Sequence, residues 1–192
     1  MNILPEIAQR KSPLVFDENK ELEREKLDAL IEAARWAPSC FNNQEWNYVF
    51  VGKKDGTRKA IEDALSLGNG WAKKAPYIVA VGADPKKGCE TNSLPYYAYD
   101  LGLSVMSLAI EAEHQGLRVH QMAGWDEAKA RKAVGFPEDF MVVVVFALGY
   151  EADVKKIFDK LEERMKDKLA RPRTRKPREE NFFFGSFAKK GA

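Results

Sequence analysis

The sequence of 192 residues predicts an α+β or α/β layered fold, in which a sheet is flanked by helices. Segments whose apolar residues recur at three- and four-residue spacing alternate with short runs rich in Val and Ile. The hydrophobic content of 45% suffices for the core of one domain or of one subunit of an obligate dimer. We therefore expect a single domain over residues 1–192.

Helices are predicted where apolar residues recur at helical spacing. Leu27 and Leu30 illustrate the pattern, and Pro38 ends the helix that contains them. Asp126 is expected to cap a later helix, and Gly135 follows that helix. The predicted helices cover residues 2–9, 23–36, 57–67, 94–115, 126–134 and 153–168.

Four strands are predicted from β-rich runs. The unbroken apolar run from Met141 to Leu148 is typical of a strand that is buried on both faces. The predicted strands cover residues 46–51, 76–83, 117–122 and 140–148. The segment 169–192 differs because it combines prolines, arginines and a phenylalanine block, and it is expected to be an extended arm that wraps a second subunit.

Charge, cysteine content and apolar runs narrow the functional classes. A net charge of +2 is too small to imply a nucleic-acid binder by itself. Cys40 and Cys89 are too few for a disulfide framework, so a reducing, cytoplasmic setting is expected. Cys40 is interpreted as a buried thiol, because neither histidine lies near it in sequence, and a catalytic Cys–His pair is the alternative. No apolar run approaches the roughly 20 residues of a membrane span, and no signal peptide is evident.

Two basic clusters suit a phosphate group. Arg10 and Lys11 precede Ser12, and together they offer a planar fork of donors, a point charge and a hydroxyl. Arg173 and Arg175 lie within residues 168–178, which contain six basic residues and no acidic one. The alternatives are a solvated turn and a solvated tail. For the tail, a nucleic-acid interface is a further alternative, and so is a phosphate site shared by both clusters.

Two polar turns suit a flat ligand. Asn42 and Gln44 carry amides that donate and accept, which matches an alternating C=O and N–H edge, although Asn42 also fits plain turn geometry. Gly124 would permit a close approach of backbone to a ligand, and His120 nearby is interpreted as structural. No zinc-ligand spacing, Walker loop or dinucleotide fingerprint appears.

Taken together, these segments resemble the nitroreductase family. Each match is weak alone, but six occur in the right order. They are Arg10-Lys11-Ser12 with Phe16-Asp17, Ala33 to Ser39 with Asn42, Gln44 and Trp46, Asn69 before Trp71 with Ala75-Pro76, Asp100-Leu101-Gly102, His120 to Asp126, and Ala147 to Tyr150 with Arg175-Lys176-Pro177. The turn His-Gln-Met-x-Gly-aromatic-Asp at 120–126 resembles one branch of the family.

The resemblance implies a homodimer with FMN at the subunit interface and NAD(P)H as a transient reductant. It implies no catalytic side chain and no metal, because the flavin carries the chemistry. The implied phosphate ligands are Arg10, Lys11, Ser12, Arg173 and Arg175. The implied contacts to the ring or ribityl chain are Pro38, Ser39, Asn42 and Gln44, with Asn69 as a further ligand and Gly124 at the flavin edge.

Two positions depart from the family pattern. Leu14 stands where the family usually has Lys or Arg, near the flavin edge that gathers negative charge on reduction. Glu45 stands where the family usually has proline, and it adds a negative charge to the loop. We expect Leu14 to lower the flavin potential and Glu45 to alter the substrate contacts.

The function expected from the sequence is that of an oxidoreductase that passes electrons from NAD(P)H through FMN to a nitroaromatic or quinone-like acceptor. An alternative is a flavin-dependent reductase of one metabolite, of a dehalogenase or enoate type, with segment 85–97 covering the pocket. A non-enzyme alternative is a nucleic-acid or partner-binding protein that uses the basic tail. We expect no nucleic-acid or membrane partner.

Overall fold

The structure, a computed structural model, describes residues 2–187. The chain separates into two compact units, one ending at Ile157 and the other beginning at Phe158. The helices of the first unit are α1 (Pro5–Gln9), α2 (Arg24–Arg35), α3 (Arg58–Asp63), α4 (Tyr97–His114), α5 (Glu127–Val134) and α6 (Val154–Ile157), and the second unit contains α7 (Glu163–Ala170). The strands are β1 (Asn47–Gly52), β2 (Tyr77–Ala83), β3 (Glu90–Thr91), β4 (Leu94–Pro95), β5 (Arg118–Met122) and β6 (Met141–Gly149).

Four strands form one sheet in the order β1-β2-β6-β5, and each neighbouring pair is antiparallel. The predicted α+β layered fold is therefore confirmed. Strand β6 lies inside the sheet, and all its residues from Val145 to Gly149 are buried. Over that half of the strand, the apolar run indicated burial on both faces correctly.

Side chains alternate along each strand, so both faces of the sheet carry apolar residues. Helices pack against both faces and bury them. Val79 and Phe146 pack into one buried cluster with residues of α2 and α4. Ile78 and Val145 face the other way and pack with residues of α3 and α5. The first cluster holds the end of α2 and the start of α4 in place, and the polar loop after α2 begins there.

Helix α3 is shorter than predicted, because tertiary pairing draws the chain out of the helix. The carbonyl of Ala64 accepts the Asp126 N–H at 2.8 Å instead of continuing the helical ladder. Leu65 then forms an isolated bridge with Trp125. A short 3-10 segment follows at Leu67–Lys74, where the sequence predicted only a helix end.

Helix α4 begins later than predicted, because a small hairpin occupies the preceding residues. Strands β3 and β4 pair antiparallel through a turn at Asn92 and Ser93, whose φ values are 52° and 61°. The Tyr96 N–H donates to the carbonyl of Cys89 at 2.8 Å. Because the predicted helix began at residue 94, its first turn was wrong.

The predicted helix at residues 153–168 is broken. Helix α6 ends at Ile157, a 3-10 turn covers Phe158–Lys160, and α7 begins at Glu163. Neither glycine nor proline marks this break in the sequence.

In the second unit, residues 171–182 and 184–187 are exposed, and the arm that wraps a partner subunit stays a prediction. Among residues 2–187, no helix combines the length and apolarity needed to cross a bilayer.

Candidate functional site

The loop after α2 has a strained backbone. Phe41, Asn42 and Gln44 have φ values of 50°, 59° and 52°. Residues other than glycine rarely adopt this left-handed region of the backbone. The Gln44 N–H donates to Ser39 Oγ at 3.0 Å, and Gln44 Nε2 donates to the carbonyl of Asn42 at 3.1 Å. The structure thus brings three of the predicted site residues into one network. Such strain is concentrated at functional sites.

A disulfide and a buried carboxylate anchor this loop. Cys40 is joined to Cys89, which precedes the β3–β4 hairpin. The Cys40 N–H also donates to Asp100 Oδ2 at 2.9 Å, in the first turn of α4. The expectation of a buried thiol at Cys40 is therefore wrong. The two cysteines are 49 residues apart in sequence, and neither spacing nor composition indicated that they meet.

A buried hydroxyl pair supports the start of the loop. Ser104 Oγ donates to the carbonyl of Ala34 at 2.9 Å, and the Tyr48 hydroxyl donates to Ser104 Oγ at 2.8 Å. Burial raises the pKa of Tyr48 to about 12, because the interior disfavours the phenolate. Tyr48 therefore stays a neutral donor, and β1, α2 and α4 are fixed relative to each other at this point.

Glu45 directs its carboxylate inward at the end of the loop. Both carboxylate oxygens are buried, and neither has a hydrogen-bond partner. A Cβ atom built on Gly88 would lie 3.4 Å from Glu45 Oε1, so the carboxylate lies against the backbone next to Cys89. The sequence predicted an unusual charge at this position but not its burial.

Asn69 and Gly124 are in direct contact. Asn69 Nδ2 donates to the carbonyl of Gly124 at 2.7 Å, and the Ser66 N–H donates to the same oxygen at 3.0 Å. A Cβ atom at Gly124 would stand 2.3 Å from Ser66 Oγ. Glycine is therefore required here for packing, and the proposed proximity of Gly124 to a ligand edge stays a prediction.

The N-terminal basic cluster is anchored to the edge strand β5. His120 Nδ1 donates to the carbonyl of Pro13 at 2.6 Å, and the His120 ring lies 4.2 Å from the Trp71 ring between centroids. These contacts agree with a structural role for His120. Lys11 pairs with Glu151 at 2.8 Å. Arg10 is half-buried and Ser12 is exposed, and their role in binding phosphate is a prediction.

The second basic cluster belongs to the second unit. Arg173 and Arg175 are exposed, and Arg175 Nη1 donates to the carbonyl of Thr174 at 2.7 Å. Pro38 is an exposed residue of the first unit, next to the strained loop. A phosphate site shared by Arg10 and the two tail arginines stays a prediction.

Sequence reasoning missed Arg58, a buried charge with a full set of partners. Its side chain donates to the carbonyls of Val51, Lys73, Ala75 and Pro76 and pairs with Glu62 at 2.7 Å. Those bonds match the five N–H groups of a guanidinium. The i,i+4 charge pair was visible in the sequence, but nothing in the sequence marked it as buried.

Comparison with known proteins identifies the family. A family model described as the nitroreductase family matches residues 7–70. A 15.4 kDa uncharacterized protein of Mycolicibacterium smegmatis is 32% identical over 131 residues, which are 68% of this chain and 84% of that protein. The chain belongs to the nitroreductase family. The matched segment of this family member contains the N-terminal basic cluster, the strained loop and Asn69.

Two further relatives of this nitroreductase-family chain are informative. A protein of Archaeoglobus fulgidus, whose name proposes an NADH dehydrogenase/NAD(P)H nitroreductase, is 27% identical over 162 residues, which are 80% of this chain and 87% of that protein. A crystal structure described as an oxidoreductase containing FMN superimposes with a TM-score of 0.85 at 26% identity. That match covers 99% of this chain and 95% of the other.

Proposed function

We propose that the protein is an FMN-dependent oxidoreductase that takes electrons from NAD(P)H and gives them to a small acceptor, such as a nitroaromatic or a quinone. The observation that carries the proposal is the nearly complete structural match with an oxidoreductase containing FMN. The name of the Archaeoglobus relative supports NAD(P)H as the reductant. Such a reductant is available in the cytoplasm, which is the location we propose.

The polar groups of this chain fit FMN. The strained loop exposes the amides of Asn42 and Gln44, which suit the donor and acceptor edge of the flavin ring. Arg10, Lys11 and Ser12 offer cations and a hydroxyl for its phosphate, and Arg173 and Arg175 are proposed to join them. When bound, FMN supplies hydride acceptance and donation, and the side chains of this protein bind and orient it.

We further propose that the protein works as a homodimer. Trp36, Phe41 and Leu67 expose 78%, 91% and 102% of their surface in the single chain. Large exposed apolar side chains are typical of a surface that is covered in an assembly. Sedimentation velocity should give the mass of two chains, and a monomer that retains FMN would contradict this part of the proposal.

Anaerobic reduction tests the main proposal. The purified protein should be yellow, should lose its flavin absorbance with NADH or NADPH, and should regain it when a nitroaromatic or a quinone is added. A colourless protein that neither binds added FMN nor oxidises NAD(P)H would overturn the proposal. In that case, binding of the basic tail to nucleic acid becomes the next measurement.

Variants of the loop and of the tail test the proposed ligands. Gln44→Ala should weaken FMN affinity about tenfold, because one good hydrogen bond to a charged or buried group contributes roughly 1.5 kcal/mol. Asn43→Ala is the matched control, since Asn43 is exposed in the same loop without a proposed contact.

Truncation before Arg171 should release FMN if the arm holds the phosphate. Retention of FMN would assign the arm another role.

Leu14 sharpens the electrostatic part of the proposal. Leu14→Arg should raise the two-electron potential of the bound flavin, on the order of tens of millivolts, because a cation stabilises the charge of the reduced state. The neutral variant Leu14→Met is the control and should leave the potential unchanged. Potentiometric titration measures both, and equal potentials for Leu14→Arg and wild type would refute the expected role of this position.

A second candidate function is a reductase selective for one metabolite. The observation that favours it is the disulfide, which ties the β3–β4 hairpin segment to the strained loop. A hairpin held beside the proposed flavin loop is well placed to select the acceptor. A panel of acceptors decides between the two functions: broad turnover favours the general reductase, and a single strongly preferred acceptor favours the selective one.

A further inference from the structure

Three metal-ligating side chains meet where the strained loop contacts the start of α4 and the hairpin segment. A carboxylate oxygen of Glu45, a carboxylate oxygen of Asp100 and the Cys89 Sγ all lie within 4.8 Å of one another. Cys40 is bonded to Cys89, so reduction of this bond would free a second thiol next to the three clustered ligands. We propose that, when this disulfide is reduced, Cys40, Glu45, Cys89 and Asp100 bind a divalent metal ion, best matched by Zn²⁺.

The charge of the cluster calls for a cation. The carboxylates of Glu45 and Asp100 approach each other in a buried setting, where like charges destabilise each other strongly. Asp100 is 2% exposed and accepts the Cys40 N–H. Glu45 has no partner for either oxygen. A buried carboxylate without a hydrogen bond or counter-charge is costly, and a metal ion between the two acids would remove that cost.

The ligand types favour zinc. Thiolates select softer metals, whereas carboxylates also accept hard ones, and two sulfurs with two oxygens in a tetrahedral set are typical of Zn²⁺. In such a set, neighbouring ligand atoms stand roughly 3.5 Å apart. For Glu45, Cys89 and Asp100, whose ligand atoms lie within 4.8 Å of one another, this requires only small side-chain adjustments, and Cys40 would turn toward them once its bond to Cys89 is reduced. No zinc spacing was visible in the sequence, because residues 40, 45, 89 and 100 come from separate segments.

The redox step balances with an ordinary reductant. A phosphine in water reduces the Cys40–Cys89 bond to two thiols and becomes a phosphine oxide. The two thiols then lose their protons as Zn²⁺ binds, so metal affinity rises with pH. Conversely, hydrogen peroxide takes two electrons from the two thiolates and two protons from the solvent and is reduced to two water molecules, while the sulfur–sulfur bond re-forms and Zn²⁺ is released. The site therefore exchanges a metal for a disulfide.

Zinc retention by the full-length protein tests the proposal. The protein is reduced with a phosphine, desalted without oxygen, dialysed with Zn²⁺ and analysed by elemental mass spectrometry, beside an oxidised sample. We expect a single zinc ion per reduced chain and none per oxidised chain. Equal zinc content in the two samples would overturn the proposal, since the pair would then be a structural disulfide only.

Ligand variants locate the ion. Cys89→Ser should abolish retention, and Glu45→Gln should weaken it about tenfold or more, because even an outer-shell partner is worth that much. Glu90→Gln is the matched control, since Glu90 is exposed one residue after Cys89. If Glu45→Gln and Glu90→Gln both retain zinc like the wild type, the assignment of Glu45 fails. Circular dichroism verifies that each variant is folded.

Cobalt gives a readout that is independent of flavin content. Co²⁺ in a tetrahedral site with thiolate ligands shows strong d–d bands in the red, where oxidised flavin does not absorb. These bands should appear in the reduced wild type and disappear when peroxide is added. Weak, octahedral-type bands in the reduced protein would contradict the proposed ligand set. Neither measurement depends on the proposed enzymatic function.

Discussion

Two buried charges flank strand β1, and they differ in whether the chain supplies hydrogen-bond partners for them. Arg58, after the strand, finds a partner for each guanidinium N–H, with four backbone carbonyls and Glu62 around it. Glu45, before the strand, finds none for either oxygen. Because buried polar groups are nearly always paired, the first charge is part of the fold, and the second is the carboxylate that we propose to bind a metal ion.

The difference separates stability from binding at the level of single residues. Arg58 ties the end of β1 to the segment before β2 and completes its hydrogen bonds within the chain. Glu45 leaves the energetic cost of burial uncompensated within the chain, as is expected for a group whose partner arrives from outside. Three substitutions test this contrast.

The largest effect is expected for Arg58→Met. This variant removes the donor that Arg58 supplies to four carbonyl oxygens and Glu62, and breaking a buried ion pair costs about 3–5 kcal/mol of the free energy of unfolding. Urea denaturation measures the change. Lys59→Met is the matched control, because Lys59 forms an exposed i,i+4 pair with Asp63 in the same helix. If both variants lose the same free energy of unfolding, the buried contacts of Arg58 stabilise the fold no more than the exposed pair of Lys59 does.

An intermediate effect is expected for Gly124→Ala. The added methyl would stand 2.3 Å from Ser66 Oγ and 3.1 Å from Asn69 Nδ2, at a carbonyl that is already fully paired. Overpacking of this kind costs about 1–3 kcal/mol. Gly56→Ala is the control, since nothing lies within 4 Å of a Cβ there. Thermal unfolding should separate the two variants, and identical midpoints would show that the Ser66 turn yields freely.

The smallest effect, with the opposite sign, is expected for Glu45→Gln in the oxidised, metal-free protein. Removing an uncompensated buried charge should raise the free energy of unfolding by about 1 kcal/mol. Chemical denaturation with a chelator present measures it, with Glu90→Gln as the exposed control. A clear loss of stability in Glu45→Gln would mean that the carboxylate has a stabilising partner, and the comparison with Arg58 would fail.

Most elements of the fold could be predicted because local signals agree with the tertiary structure. The β-rich runs located β1, β2, β5 and β6 within a residue or two. Asp126 caps α5 through the Lys129 N–H at 3.0 Å, as its residue type indicated. Two misses have different origins: Ala64 pairs with the distant Asp126, and a hairpin at 90–95 turns at Asn92 and Ser93. Long-range pairing overrode helix propensity at Ala64, and a local turn overrode it at Asn92 and Ser93.

The sequence predicted the part of the site whose residues lie within one loop, but not the contacts that depend on tertiary packing. Ser39, Asn42 and Gln44 do form a network, because the three lie within one loop. The contact of Asn69 with Gly124 spans 55 residues, and only the family resemblance pointed to both. The disulfide and the burial of Glu45 could not be predicted, because each depends on how α2, α4 and the hairpin pack. Two i,i+4 pairs in α3 likewise look identical in sequence but differ in burial.

The disulfide has a consequence for the entropy of the unfolded chain. It closes a loop of 49 residues that contains β1, α3 and β2, and such a closure disfavours unfolding by about 4 kcal/mol. Reduction alone would release half of the sheet from this restraint. A zinc ion held by the same two sulfurs closes the same loop. If it binds, the protein keeps one topology in oxidising and in reducing surroundings, with a bond in the first and an ion in the second.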